Sequence, residues 1–150
     1  MIRSVPLVKL VEEHGREELL EPWMEMKLLA VTEIERTPIG KHAPKSINYS
    51  WQPFRDVLLI MLDTGMRPGE IFRMRWEHVK WDQEVIFVPR SKSRKSKRNV
   101  GMTERVKAAL LGRKREANQG WVFPSALATS GHIETVQKQF DRAKRLARDS

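Results

Sequence analysis

An apolar run, Leu58-Leu-Ile-Met-Leu62, stops at Asp63-Thr64-Gly65, and Arg67-Pro68-Gly69-Glu70 follows at once. Glycine enters the left-handed conformation without a Cβ penalty, so Gly65 is a natural helix stop. Proline lacks the N–H that a first helical residue leaves unpaired anyway, so Pro68 is a natural helix start. Glu70 then falls in the first turn of the new helix, where a carboxylate is favoured. Arg67 is thereby confined to a short turn between two helices, just ahead of unpaired backbone N–H groups. That geometry suits an anion such as phosphate. An arginine in such a turn is also commonly a solvated or capping residue, and its position alone does not choose between the two.

The preceding segment reads as the post that holds this turn. Ser50 is placed to cap a helix, with Pro53 inside its first turn. Phe54, Val57, Leu58 and Met61 form an i, i+3, i+4, i+7 stripe, and Leu59, Ile60 and Leu62 widen it nearly all the way round, as in a core helix. The full pattern, Thr64-Gly65-Met66-Arg67-Pro68-Gly69-Glu70-Ile71 with Met74-Arg75-Trp76, resembles the first-arginine motif of the tyrosine recombinase (phage integrase) family, roughly T-G-x-R-x-x-E-[IL]-x-x-L-x-W.

Composition agrees with a nucleic-acid partner. The chain carries 28 Lys+Arg against 19 Asp+Glu, a formal charge of +9, which points to a polyanion, an anionic membrane or an acidic protein. No apolar run reaches membrane-spanning length and no leader pattern opens the chain, so a cytoplasmic protein is expected, and the resemblance implies one associated with the nucleoid. With no cysteine there is neither a disulfide frame nor a thiol nucleophile. Its four histidines are scattered and no phosphate-binding glycine loop occurs, so metal or nucleotide chemistry has no support. The resemblance likewise implies no cofactor.

Along the chain, residues 1–20 read as a linker or the exit from an N-terminal DNA-binding domain, and 21–150 as a partial recombinase catalytic domain. Pro22 opens a helix through about Val31, and 36–48 read as a loop. Beyond the Pro68 helix, Glu84–Val88 is a β-rich run after the turn-like Asp82-Gln83, and Arg98–Met102 is its returning partner. Thr103 caps a helix to about Arg115. Trp121–Phe123 is a short strand or core plug, and a last helix is expected from Ile133 to Ala147, with Ile133, Val136, Phe140 and Ala143 on one face. The fold class is mainly α (α+β): a helical integrase-like catalytic domain with a small antiparallel sheet or hairpin, truncated before its last helices.

Between the two strands, Arg90, Lys92, Arg94, Lys95, Lys97 and Arg98 place six cations and no acid in nine residues. Such a loop is often simply solvated. Six like charges repel one another, however, and a polyanion relieves that repulsion. Ser91, Ser93 and Ser96 add hydroxyls for phosphate or groove contacts. By the resemblance, Ser91-Lys92-Ser93 stands where the family has a T-K-T-like turn. Lys92 would then be the general acid that protonates the leaving 5′ oxygen, with Lys95 as the alternative. The same resemblance makes Arg67 a ligand of the non-bridging phosphate oxygens and Glu70 its support. Asn99-Val-Gly-Met102 departs from the family's V-P-L ending, whereas Val122-Phe123-Pro124 is similar to its Y-V-F-P.

The family chemistry also needs an H-x-x-R motif and a later tyrosine that attacks the phosphate. The four histidines lack an arginine three residues on, and Tyr49, the sole tyrosine, precedes Arg67. The expectation is a recombinase fragment or decayed remnant that binds double-stranded DNA without cutting it, with uncovered apolar faces and self-association with other recombinase protomers. The alternative is a non-catalytic basic nucleic-acid-binding module. Arg142, Lys144, Arg145 and Arg148 on the last helix either add backbone contacts or form a solvated face.

Overall fold

Gly65 ends one helix and Pro68 begins the next, and this corner organises the rest. The computed structural model describes residues 20–33, 51–89, 97–116 and 120–148. In chain order these form α1 (Pro22–Glu33), α2 (Gln52–Thr64), α3 (Pro68–Phe72), a 3-10 turn (Trp76–His78), β1 (Val79–Lys80), β2 (Val85–Val88), β3 (Arg98–Gly101), α4 (Glu104–Glu116) and α5 (Gln137–Arg148). The three strands form one antiparallel sheet in the order β1-β2-β3, with Val85 opposite Gly101 and Val88 opposite Arg98.

α2 is the internal post. Val57 and Ile60 are fully buried against Ile71, Met74, Ile86, Val106, Leu110, Val122 and Phe123. Phe54 and Leu58, on another face of the same helix, pack with Leu28 of α1 and Ala143 of α5 in a second cluster. Helices gather on both sides of α2 for that reason, since each buried large aliphatic side chain contributes about 1.5–3 kcal/mol.

The helix ends follow local chemistry. Gly65 has φ 64° and ψ 14°, and its N–H donates to the Met61 carbonyl at 3.0 Å. Nothing lies within 4 Å of where a Cβ would stand on Gly65. Gly65→Ala is therefore expected to cost only the left-handed backbone penalty, about 1–2 kcal/mol, read as a lower urea midpoint with unchanged slope. Thr103 caps α4 as expected, its hydroxyl accepting from the Val106 N–H at 3.3 Å.

Four expectations are corrected. The N-cap of α2 is Trp51, in αR conformation and without a side-chain cap bond, rather than Ser50, which lies outside the described residues. The β-run starts at Val85, because Glu84 has φ 54° and closes the tight turn. The sheet gains β1, whose two residues are too short to leave a pattern in the sequence. The last helix starts at Gln137, not Ile133: the Ile133 N–H donates to the Phe123 carbonyl at 2.9 Å beside a Pro124–His132 bridge, and Thr135 Oγ1 accepts from the Gln137 N–H. Ile133 packs on the main core instead, while Phe140 and Ala143 face the α1–α2 cluster.

Candidate nucleic-acid interface

Arg67 is the N-cap of α3, with an extended backbone (φ −71°, ψ 146°) and an exposed side chain. Gly65 turns the chain sharply before it, and Pro68 presets the helical φ after it. Ile71 and Phe72 anchor the helix in the core. The Arg67 N–H donates to Glu70 Oε2 at 2.9 Å, so Glu70 reaches back over the first turn. At five residues α3 is too short for a substantial macrodipole, so the positive field at this corner comes from arginines rather than from the helix.

Glu70 is held from the other side by the sheet. Arg98, the first residue of β3, donates from Nη1 to Oε1 at 3.0 Å and from Nη2 to Oε2 at 2.8 Å. The Glu70 side chain is only 5% exposed and that of Arg98 is 41% exposed. The fork of Arg98 holds the Glu70 carboxyl below the ordinary glutamate range, with the Arg67 N–H adding to the effect, and burial opposes both. The sequence-predicted Arg67, Glu70 and Arg98 are thus brought together, although Arg98 directs its fork at Glu70. Lys97 is exposed beside it. Arg90, Lys92, Arg94 and Lys95 lie outside the described residues.

Further cations flank the corner. Arg73 is exposed, and its Nε donates to the Gly69 carbonyl at 2.9 Å. The Arg75 guanidinium lies 4.2 Å from the Trp121 ring centroid, and His132 sits against the same ring at 4.6 Å. Backbone bonds from Trp76 N–H to Gly120 O and from Val122 N–H to Met74 O stitch this segment to the stretch that follows α3. α5 carries Lys138, Arg142, Lys144, Arg145 and Arg148; Lys144 pairs with Asp141 at 3.4 Å and Arg142 lies over Trp51 at 5.6 Å.

Two ionic clusters that tie α2 to its neighbours, one of them beside the corner, were not foreseen from the sequence. Asp63, two residues before Gly65, accepts from Arg105 of α4 and from the Thr103 hydroxyl, and Arg105 reaches on to Glu25 of α1 at 3.0 Å. Arg105 holds the Asp63 carboxyl below its ordinary value, and the two acids push the guanidinium up. Asp56, 1% exposed on α2, accepts from Arg113 at 3.1 Å and from Gln52 at 2.8 Å. The sequence signal for Asp56 was a carboxylate directly before the apolar run of residues 57–62 in α2; nothing marked Arg113 as its partner.

Among the described residues no three His, Asp or Glu side chains converge as metal ligands, and no helix is long and apolar enough to cross a membrane. No curated protein matches the chain at a significant level. The profile of the phage integrase family matches residues 39–150, a span that contains the Arg67 corner, the sheet and the helices after it. With about three-quarters of its length matched and a mainly helical fold bearing a small antiparallel sheet, the chain belongs to the phage integrase family, which acts in DNA recombination and integration.

Proposed function

We propose that this chain is the phosphate-binding part of a site-specific tyrosine recombinase. The supporting observation is the corner itself: an exposed arginine fixed between a left-handed glycine and a helical proline, its backbone held by a nearly buried glutamate. Arg67 binds non-bridging phosphate oxygens and Glu70 holds the turn in shape. Lys92, or Lys95 if the hairpin register slips by three residues, protonates the leaving 5′ oxygen. An ammonium is the kind of group whose pKa surroundings can lower, which suits that task. Arg90, Arg94, Lys95 and Lys97 contact the DNA backbone.

Strand cleavage in this family forms a 3′-phosphotyrosyl bond. The 150 residues contain one tyrosine, Tyr49, ahead of Arg67, and no H-x-x-R. By themselves they bind double-stranded DNA without cutting it, since covalent catalysis requires its nucleophile. Self-association with other recombinase protomers belongs to the same reading.

The second reading, a non-catalytic basic module, is favoured by the six hairpin cations alone. Duplex binding measured against salt separates the two. The recombinase reading expects a log–log slope of about one unit per phosphate contact, with Arg67→Ala lowering both the affinity and the slope, the latter by about one unit. A silent Arg67 with additive hairpin cations selects the basic module. A flat salt response removes DNA as the partner.

A further inference from the structure

We infer that Arg98 is a positioning residue for Arg67, acting through the Glu70 carboxylate rather than by touching DNA. The inference rests on the reading of Arg67 as a phosphate ligand and extends it to the strand that returns from the basic hairpin.

The geometry is closed on both oxygens of Glu70. Oε1 accepts from Arg98 Nη1 at 3.0 Å, and Oε2 accepts from Arg98 Nη2 at 2.8 Å and from the Arg67 N–H at 2.9 Å. With the Glu70 side chain 5% exposed, water has little access to replace either partner. Paired forks of this kind are directional as well as strong. Without Arg98, a carboxylate left on a single backbone donor turns out toward water or takes up a proton. Either change weakens or breaks the bond to the Arg67 N–H and loosens a restraint on the Arg67 turn that comes from outside α2 and α3. Arg98 also stands opposite Val88 in the β2–β3 pairing, so the register of the hairpin and the seat of Arg67 are linked through one side chain.

A cation beside a DNA-binding loop invites the simpler view that Arg98 is a phosphate contact. Two measurements on the whole chain tell these apart. In the first, without DNA, the Arg67 amide is followed by heteronuclear NMR through an acid titration. In the wild type its shift should follow Glu70 with a midpoint below the ordinary glutamate value, as expected for a carboxylate facing Arg98 and Arg67. In Arg98→Gln the midpoint should move up, and in Arg98→Lys, which keeps the charge but loses the fork, it should fall between. An Arg67 amide whose midpoint is the same in all three proteins overturns the inference.

In the second, duplex affinity is measured in a double-mutant cycle with Arg67→Ala. Arg98→Gln alone should weaken binding about tenfold, the scale of one charge-assisted hydrogen-bonded link. In the Arg67→Ala background it should add less than about twofold and leave the salt slope unchanged. A further loss there, with the slope reduced by about one unit, makes Arg98 a phosphate contact and overturns the inference. If Arg67→Ala leaves affinity unchanged while its amide still follows Arg98, the phosphate role of Arg67 fails, and the role of Arg98 in DNA binding fails with it.

Discussion

Arg113→Ala should destabilise this protein by about 3–5 kcal/mol, the usual cost of leaving a buried charge without its partner. That is a large part of the roughly 5–15 kcal/mol typical of a whole domain. Asp56 is 1% exposed, and its carboxylate has Arg113 at 3.1 Å and Gln52 at 2.8 Å. Arg113 does more than neutralise it. Its Nε donates to the Val122 carbonyl at 3.0 Å, and its guanidinium lies 4.4 Å from the Phe123 ring centroid. One side chain thus ties α4 to α2 and to the plug that fills the core. Urea unfolding should show a lower midpoint with an unchanged slope. The double variant Asp56→Leu/Arg113→Met should recover most of the loss, because apolar residues of similar volume often replace a buried pair without penalty. A double variant as unstable as the single one would show that lost packing, not the stranded charge, is the cause.

The pH dependence of that loss has a definite sign. Burial pushes the Asp56 carboxyl up, and Arg113 is the main group holding it down, so removing Arg113 raises it further. A carboxyl whose folded value lies above its unfolded value makes the folded state the better proton binder. The penalty in Arg113→Ala is therefore full above the raised folded value and fades as pH falls through it. Glu70 and Asp63 behave oppositely: their folded values are lowered, so their contribution is present above the unfolded value and is lost on acidification through the folded one. A difference between Arg113→Ala and wild type that grows on acidification would rule out this account of Asp56.

The largest functional effect is expected from the hairpin. Replacing Lys92, Arg94, Lys95 and Lys97 together with serine should lower duplex affinity about a thousandfold near roughly 0.15 M salt, because each cation seated on a phosphate releases counterions. The log–log salt slope should shrink by about four units, close to one for each of these side chains. Arg98 is left in place in this variant because its fork is engaged with Glu70, so the Arg67 corner keeps its shape. An unchanged slope would mean that these cations are solvated rather than seated on DNA. A smaller effect on affinity, with only the Lys92→Ser component impairing a cleavage-competent recombinase, would assign Lys92 to chemistry rather than affinity.

The Arg67 corner was legible in the sequence because each of its constraints is local. Gly65 stops a helix by conformational freedom, Pro68 starts one through its fixed φ, and Glu70 reaches a backbone N–H three residues away. The all-round apolar α2, the returning strand at Arg98 and the Thr103 cap follow from period and residue type in the same way. The start of α5 was misplaced because Ile133 fits a helical stripe equally well, and the choice fell to a hydrogen bond with Phe123, distant in sequence. The residues themselves determined that two helices meet at a rigid arginine turn and that a cationic loop follows. Tertiary structure alone decided that Arg98 closes on Glu70, that Arg105 bridges Asp63 and Glu25, and that Arg113 finds Asp56. These ion pairs join residues 28 to 80 positions apart. Charge on an isolated strand or helix is equally at home in water, and only the packing of α2, α4 and the sheet removes that option.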